Sequence, residues 1–234
     1  MGRKKKELGT SNLKTQVLEE CTPGEGQCSS QIGVLADSQR VKSVHLSRPT
    51  TVVHGTDIYM VAGNYSRKAF ADAGESEAEE LGLLLVRGNV SAEGGTRRIH
   101  WRDNYPFPWT DSKKQHESLT GLIGSGGSGI KMNDGTLVFP VEGTKEEADT
   151  EEDGKTVSLI IYSSKEVTSW TLSKGMSADG CSDPSVVEWK DKLMMMTACD
   201  DGRRRVYESA EKGESWTEAL GTLSRVWSNK QKGN

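Results

Sequence analysis

The side chains with which this chain of 234 residues could do chemistry are few: four cysteines, four histidines, some carboxylates and a run of arginines. Cys181 and Cys199 bracket two β-rich runs, 185–189 and 192–197, on either side of a turn near Lys190-Asp191. Reflection through that turn sets the two cysteines opposite one another within one residue. Cross-strand partners lie about 4.5–5.5 Å apart, close to disulfide reach. Cys21 and Cys28 bracket Thr-Pro-Gly-Glu-Gly-Gln, a loop that a second disulfide could close. Two disulfides imply an oxidising compartment. Zinc is disfavoured, because no CxxC occurs and His45, His54, His100 and His116 lie far from the cysteines. No metal and no cofactor is expected.

Other patterns resolve to blander readings. Gly124-Ser125-Gly126-Gly127-Ser128-Gly129 satisfies GxGxxG, but a hairpin pattern rather than a helix follows it, which argues against a dinucleotide. Asp149-Thr150-Glu151-Glu152-Asp153-Gly154 begins like a calcium loop, yet Ile160 stands where that loop needs glutamate. Arg203-Arg204-Arg205 in a strand sends neighbours to opposite faces, so it reads as solvated or internally paired. Asn64-Tyr65-Ser66 and Asn89-Val90-Ser91 are glycosylation sequons, meaningful only in a secreted chain.

The elements that must position these residues are short strands. Glycines number 26 against 6 prolines, and 33% hydrophobic with 27% charged residues is polar without being disordered in composition. The net charge is -4 with the basic residues scattered, so nucleic acid is not an expected partner. No apolar run approaches the ~20 residues of a membrane span. The basic start, Met1-Gly2-Arg3-Lys4-Lys5-Lys6, leads into polar residues rather than a signal peptide's apolar region, and Lys6 spoils a myristoylation reading of Gly2. Residues 1–40 read as a loose polar segment and 229–234 as a tail. Between them, 51–53 and 58–62 form a hairpin about His54-Gly55-Thr56-Asp57. Runs at 81–86, 97–101, 122–130, 136–141, 156–162 and 204–207 follow, with a strong turn at Asn133-Asp134-Gly135. Spacing near ten residues without helical periodicity predicts an all-β sandwich, barrel or propeller. Acidic stretches 75–80 and 146–153 read as solvated loops.

Two segments share one template. Ser209-Ala210-Glu211-Lys212-Gly213-Glu214-Ser215-Trp216 follows Val206-Tyr207-Glu208, and Ser163-Ser164-Lys165-Glu166-Val167-Thr168-Ser169-Trp170 follows Ile161-Tyr162. Both resemble the sialidase Asp box, Ser-x-Asp-x-Gly-x-Thr-Trp, which recurs in successive propeller blades. The acid is expected to accept backbone N–H groups, the glycine to take φ > 0, and the tryptophan to pack into the blade.

Longer motifs carry a family resemblance. Gly180-Cys181-Ser182-Asp183-Pro184, Glu188-Trp189, Lys192-Leu193, Arg203 to Ser209 and Gly221-Thr222-Leu223-Ser224-Arg225-Val226-Trp227 resemble the catalytic propeller of the trypanosomatid trans-sialidase family. Arg48-Pro49-Thr50, Tyr59, Gly63-Asn64-Tyr65 and Gly135-Thr136-Leu137-Val138-Phe139-Pro140-Val141 fit the same frame, so the resemblance runs over about 41–228. It implies a partial six-bladed β-propeller of antiparallel four-stranded blades. In the family this precedes a lectin-like domain, behind a signal peptide and ahead of a membrane anchor.

The resemblance also implies what catalysis requires: a tyrosine nucleophile, an activating glutamate, an aspartate acid/base and three arginines gripping the substrate carboxylate. Ala198 stands at the middle arginine's position. Asp183 stands at the activating glutamate's, one methylene shorter. Arg48 replaces a binding-site aspartate. The first arginine's Arg-Ile-Pro motif and the acid/base aspartate are missing upstream, and the tyrosine and third arginine belong to blades beyond Asn234. The expected function is therefore a catalytically inactive surface-glycoprotein relative, engaged in adhesion or antigenic display. Host sialoglycans or glycoproteins are its expected partners, at a cell surface or outside the cell. An active exo-α-sialidase and a truncated copy without activity stand as the alternatives.

Overall fold

The computed structural model describes residues 47–66, 83–93, 96–106, 118–145 and 154–219, with Gly221 and Leu223. Cys21 and Cys28, segment 1–40, the acidic stretches 75–80 and 146–153 and the tail from 229 lie outside the described residues.

The first sheet opens with β1 (Thr50–His54) and β2 (Asp57–Ala62), joined by a hairpin in which Gly55 takes φ 66°. β3 (Asn64–Ser66) leaves it for the next sheet, while β4 (Leu84–Glu93) and β5 (Thr96–Pro106) complete the order β1-β2-β4-β5. The second sheet is built on β6 (Leu119–Gly124), β7 (Ile130–Lys131), β8 (Leu137–Lys145), β9 (Thr156–Ser163) and β10 (Trp170–Leu172). Its order is β10-β9-β8-β6-β3, with β7 also paired to β8. The third is β11 (Cys181–Trp189), β12 (Lys192–Cys199), β13 (Arg204–Ser209) and β14 (Thr217–Glu218), in sequence order. Every named pairing is antiparallel.

The sheets stack like successive blades, and burial follows from that. β8 lies in the middle sheet, and each of its residues from Leu137 to Gly143 is buried, which explains its nearly continuous apolar run. Leu137, Phe139 and Val141 pack toward Val52, Tyr59, Val61 and Leu85 of the first sheet. Val138, with Ile160, packs toward Leu193, Met195 and Tyr207 of the third. β11 has a neighbouring sheet on one side only, and its burial alternates accordingly. Trp170 seats itself 5.5 Å from Phe139 and 6.4 Å from Tyr59, ring centre to ring centre.

The two template turns put a left-handed residue at the same place but hold it differently, with Ser209 first in its box and Ser164 second. Gly213 takes φ 82° and Val167 takes φ 56°, the latter a costly conformation for a β-branched residue. The backbone N–H groups are held by serines rather than by the acidic position. Ser209 Oγ accepts from Gly213 N at 2.9 Å and Glu211 N at 3.3 Å, while Ser164 Oγ accepts from Thr168 N at 3.1 Å. A hydroxyl one bond from Cβ already sits beside these N–H groups, and Glu211 is exposed to water. Trp170 is buried as expected; Trp216 is only half-buried.

Polar pins join sheets two and three at the β7–β8 turn. Lys212 Nζ donates to Asp134 Oδ2 and Thr136 Oγ1, each at 2.8 Å, and Asn133 N donates to Glu188. Burial pushes the Asp134 carboxyl upward, but the bonds from Lys212 and Thr136 outweigh it and hold the pKa at about 2. Arg205 and Arg203 both clasp Asp201, which lowers that carboxyl well below its usual range.

At the far end of the third sheet, Lys190 (φ 50°) and Asp191 (φ 62°) both adopt left-handed backbone, as a two-residue primed hairpin turn demands. Neither residue suits it as Asn-Gly would. Replacing the pair by Asn-Gly should raise the unfolding free energy by about 1 kcal/mol. Urea denaturation checks this, and a lowered midpoint would contradict the turn geometry.

Candidate functional site

Arg48, Glu142 and Asp183 come one from each sheet and meet at one end of the stack. Arg48 lies two residues before β1, Glu142 late in β8 and Asp183 early in β11, and their mutual hydrogen bonds put all three at the same end. Backbone geometry aims two of them. Arg48 and Asp183 each precede a proline and each take positive φ, 44° and 50°. At Asp183 the strand is bulged, with a register shift between Ser182 and Ser185. Glycine permits the close approach. A Cβ on Gly124 would stand 2.5 Å from Arg48 O, and one on Gly129 would collide with Val138 O. The Gly124–Gly129 segment is thus a seam between the first two sheets, with Gly129 N donating to Thr51 O at 2.9 Å.

One guanidinium nitrogen of Arg48 does most of the bonding. Its two N–H groups are shared among Glu142 Oε1 at 2.5 Å, Asp183 Oδ1 at 2.9 Å and Ser125 O at 3.2 Å. Glu142 Oε1 also accepts from Asp183 N at 2.9 Å. The Glu142 side chain is 9% exposed, Arg48 34% and Asp183 61%. The bond to Glu142 raises the Arg48 pKa further, against the opposing effect of burial. One cation held by two carboxylates leaves the cluster with net charge -1.

Ala198 lies at the same end, paired with Ser182 across β11 and β12, and is buried. It brings no charge. Cys181 and Cys199, the next pair out, are directly opposed and joined by a disulfide. Tyr59 sits in the core between the first two sheets, and the Tyr207 hydroxyl accepts from Ala178 N. Neither tyrosine reaches the cluster. Asn64 opens β3, and Asn89 lies within β4 with its amide oxygen buried. Sequence reasoning singled out Asp183 and Ala198, named Arg48 only as a replacement, and missed Glu142. Its one signal was an acid closing an otherwise apolar strand run, Leu137 to Val141.

Comparison with known proteins fits this geometry. The chain matches the family described as BNR repeat-like domain over residues 2–234. It is 36% identical over 200 residues to Sialidase 85-1.1 of Trypanosoma cruzi, covering 83% of this chain and 26% of that protein. A second T. cruzi sialidase is 32% identical over 238 residues, covering 97% of this chain and 20% of the relative. Among solved structures, Trypanosoma rangeli sialidase with the inhibitor DANA superposes with a TM-score of 0.63 at 34% identity, over 81% of this chain and 31% of the other. The same sialidase in complex with sialic acid gives 0.60 at 31% identity, over 83% and 31%. The chain therefore spans about a third or less of the length of these relatives. In the described residues, no helix is long and apolar enough to cross a membrane. With three stacked antiparallel sheets like those of sialidase β-propellers, the chain belongs to the trypanosomatid trans-sialidase and sialidase family, as part of its β-propeller.

Proposed function

We propose that this chain is a non-catalytic member of its family, serving recognition of sialoglycans or glycoproteins at a cell surface in adhesion or antigenic display. The observation that carries the reading is the Arg48 guanidinium already engaged by Glu142 and Asp183, and the resemblance adds Ala198 where it implies a carboxylate-gripping arginine. A carboxylate approaching Arg48 meets two carboxylates first. Losing a charge-assisted contact of this kind costs about 2–5 kcal/mol of binding when it strands a buried charge. Loss of a nucleophile or its base costs orders of magnitude in rate. Asp183 points its carboxylate at Arg48 and is more than half exposed, which does not make it a poised base for a tyrosine. Sialic acid bound in the T. rangeli sialidase supports keeping sialoglycans as the ligand class. The Cys181–Cys199 disulfide supports an exported protein, in which the Asn64 and Asn89 sequons would become relevant.

Purified chain incubated with a fluorogenic sialoside should release no fluorophore above buffer. It should bind sialoglycans or host cells saturably. Turnover would establish the sialidase alternative, and absence of saturable binding at high micromolar protein would favour a fragment without activity.

A further inference from the structure

The three acceptors that hold Arg48 are not equally fixed, and the difference decides which of them a ligand can replace. Ser125 offers a backbone carbonyl, anchored in the seam between the first two sheets. Glu142 is 9% exposed, lies within the buried run of β8, and accepts from Asp183 N as well as from Arg48. Asp183 is the loose one. Its carboxylate is 61% exposed and, among the described residues, bonds only Arg48, at 2.9 Å. Its backbone lies outside the ladder too. Register breaks between Ser182 and Ser185, so neither Asp183 nor Pro184 pairs with β12. Rotation about the Asp183 Cα–Cβ bond swings the carboxylate into water and gives up one exposed ion pair but no ladder bond.

The fold imposes this contact. Arg48 and Asp183 both take left-handed backbone directly before a proline, a conformation disfavoured for each. Such conformations persist where the surrounding structure dictates them, and a bulge is a common means of re-aiming a side chain. We propose that the Asp183 carboxylate is a built-in placeholder on Arg48. It occupies the place that the carboxylate of an anionic sugar takes, and such a ligand binds by exchange, displacing Asp183 to solvent while Glu142 and Ser125 stay. Exchange also answers the charge problem of this site. Simple addition would crowd three carboxylates around one guanidinium, whereas a swap leaves Arg48 with the same set of acceptors. The Arg48 side chain is 34% exposed, so a ligand reaches it from solution. The inference rests on sialoglycans as the ligand class proposed above. It makes Arg48 the group that holds their acid, and Asp183 the group that limits their affinity.

Calorimetric titration of the full chain with the methyl α-glycoside of N-acetylneuraminic acid tests this. Asp183→Asn keeps the size and the tolerance of left-handed backbone but removes the competing charge. It should tighten binding about fivefold, the upper end of what an exposed ion pair is worth. Asp183→Gly suits the backbone better still and should bring a similar gain, which then does not depend on the new amide. Adding Arg48→Leu to Asp183→Asn should abolish the gain. The carboxyl methyl ester of the same glycoside should bind the unmodified chain and the Asp183 variants alike. Binding by Asp183→Asn with none by the unmodified chain would remove the recognition role and keep the placeholder. Saturable binding by the unmodified chain with no gain in either Asp183 variant overturns the placeholder and leaves the recognition role standing. Absence of binding throughout, or a gain that the ester shares, overturns it as well.

Discussion

Glu142→Leu will lower the unfolding free energy by about 2–4 kcal/mol, because it removes the acceptor that two buried-side donors share. Arg48 loses its strongest partner, and Asp183 N loses its acceptor. The full cost of splitting a buried pair, about 3–5 kcal/mol, is not expected. Arg48 is a third exposed and can turn toward water or rely on Asp183. For a chain of this size the midpoint of thermal unfolding should fall by roughly 5–12 °C. Glu142→Gln keeps an acceptor oxygen at nearly the same place and should cost about half as much. The decisive measurement is the double-mutant cycle with Arg48→Leu. If the pair is real, the double variant will be less damaged than the two single losses added together, by about 1 kcal/mol or more. A coupling of zero means that the cluster does not exist in solution, and the argument against carboxylate binding goes with it. The same variants carry a functional consequence. Without Glu142, Arg48 has one competing carboxylate fewer, so affinity for an anionic sugar should rise rather than fall.

What the sequence revealed and what it hid follow one rule, the range over which the determining interaction acts. The Lys190-Asp191 turn and the opposition of Cys181 to Cys199 come from the symmetry of a single hairpin, and strand register keeps that symmetry apart from the bulge after Ser182. The Asn133-Asp134-Gly135 turn is equally local, with Gly135 at φ 95°. β4 runs on to Glu93, well past the apolar stretch that announced it. Its polar half, including Arg87 and Asn89, is held by ladders to β2 and β5 rather than by its own pattern. The site was the least legible part. Arg48 is 94 residues from Glu142 and 135 from Asp183, and Glu142 is 41 from Asp183. Nothing near Glu142 in the chain hints at a cation. Asp183 and Ala198 could be singled out only because the resemblance implies functional groups there, and a resemblance says what a residue would replace, not what it now touches.

Removing the Cys181–Cys199 disulfide, by Cys181→Ala with Cys199→Ala, should cost about 2–4 kcal/mol and roughly 5–12 °C in thermal midpoint. The bridge spans 18 residues, and closing a loop of that size withdraws about 3 kcal/mol of entropy from the unfolded chain. Its placement argues for the upper part of that range in this fold. The hairpin it closes has an ill-suited turn at one end and a bulge between Ser182 and Ser185 at the other, so neither end fixes the register well without it. Ser182 and Ala198, the pair inside the bridge, are the next to separate when it is cut. Fraying there draws Asp183 away from Arg48 and Glu142, so loss of the disulfide and loss of the cluster should be coupled rather than additive. Reductant added to the unmodified chain should reproduce the effect, and Asn-Gly at 190–191 should recover part of it. An unchanged midpoint under reduction would show that sheet packing alone sets the hairpin, and that the site end of sheet three holds its shape without a covalent clasp.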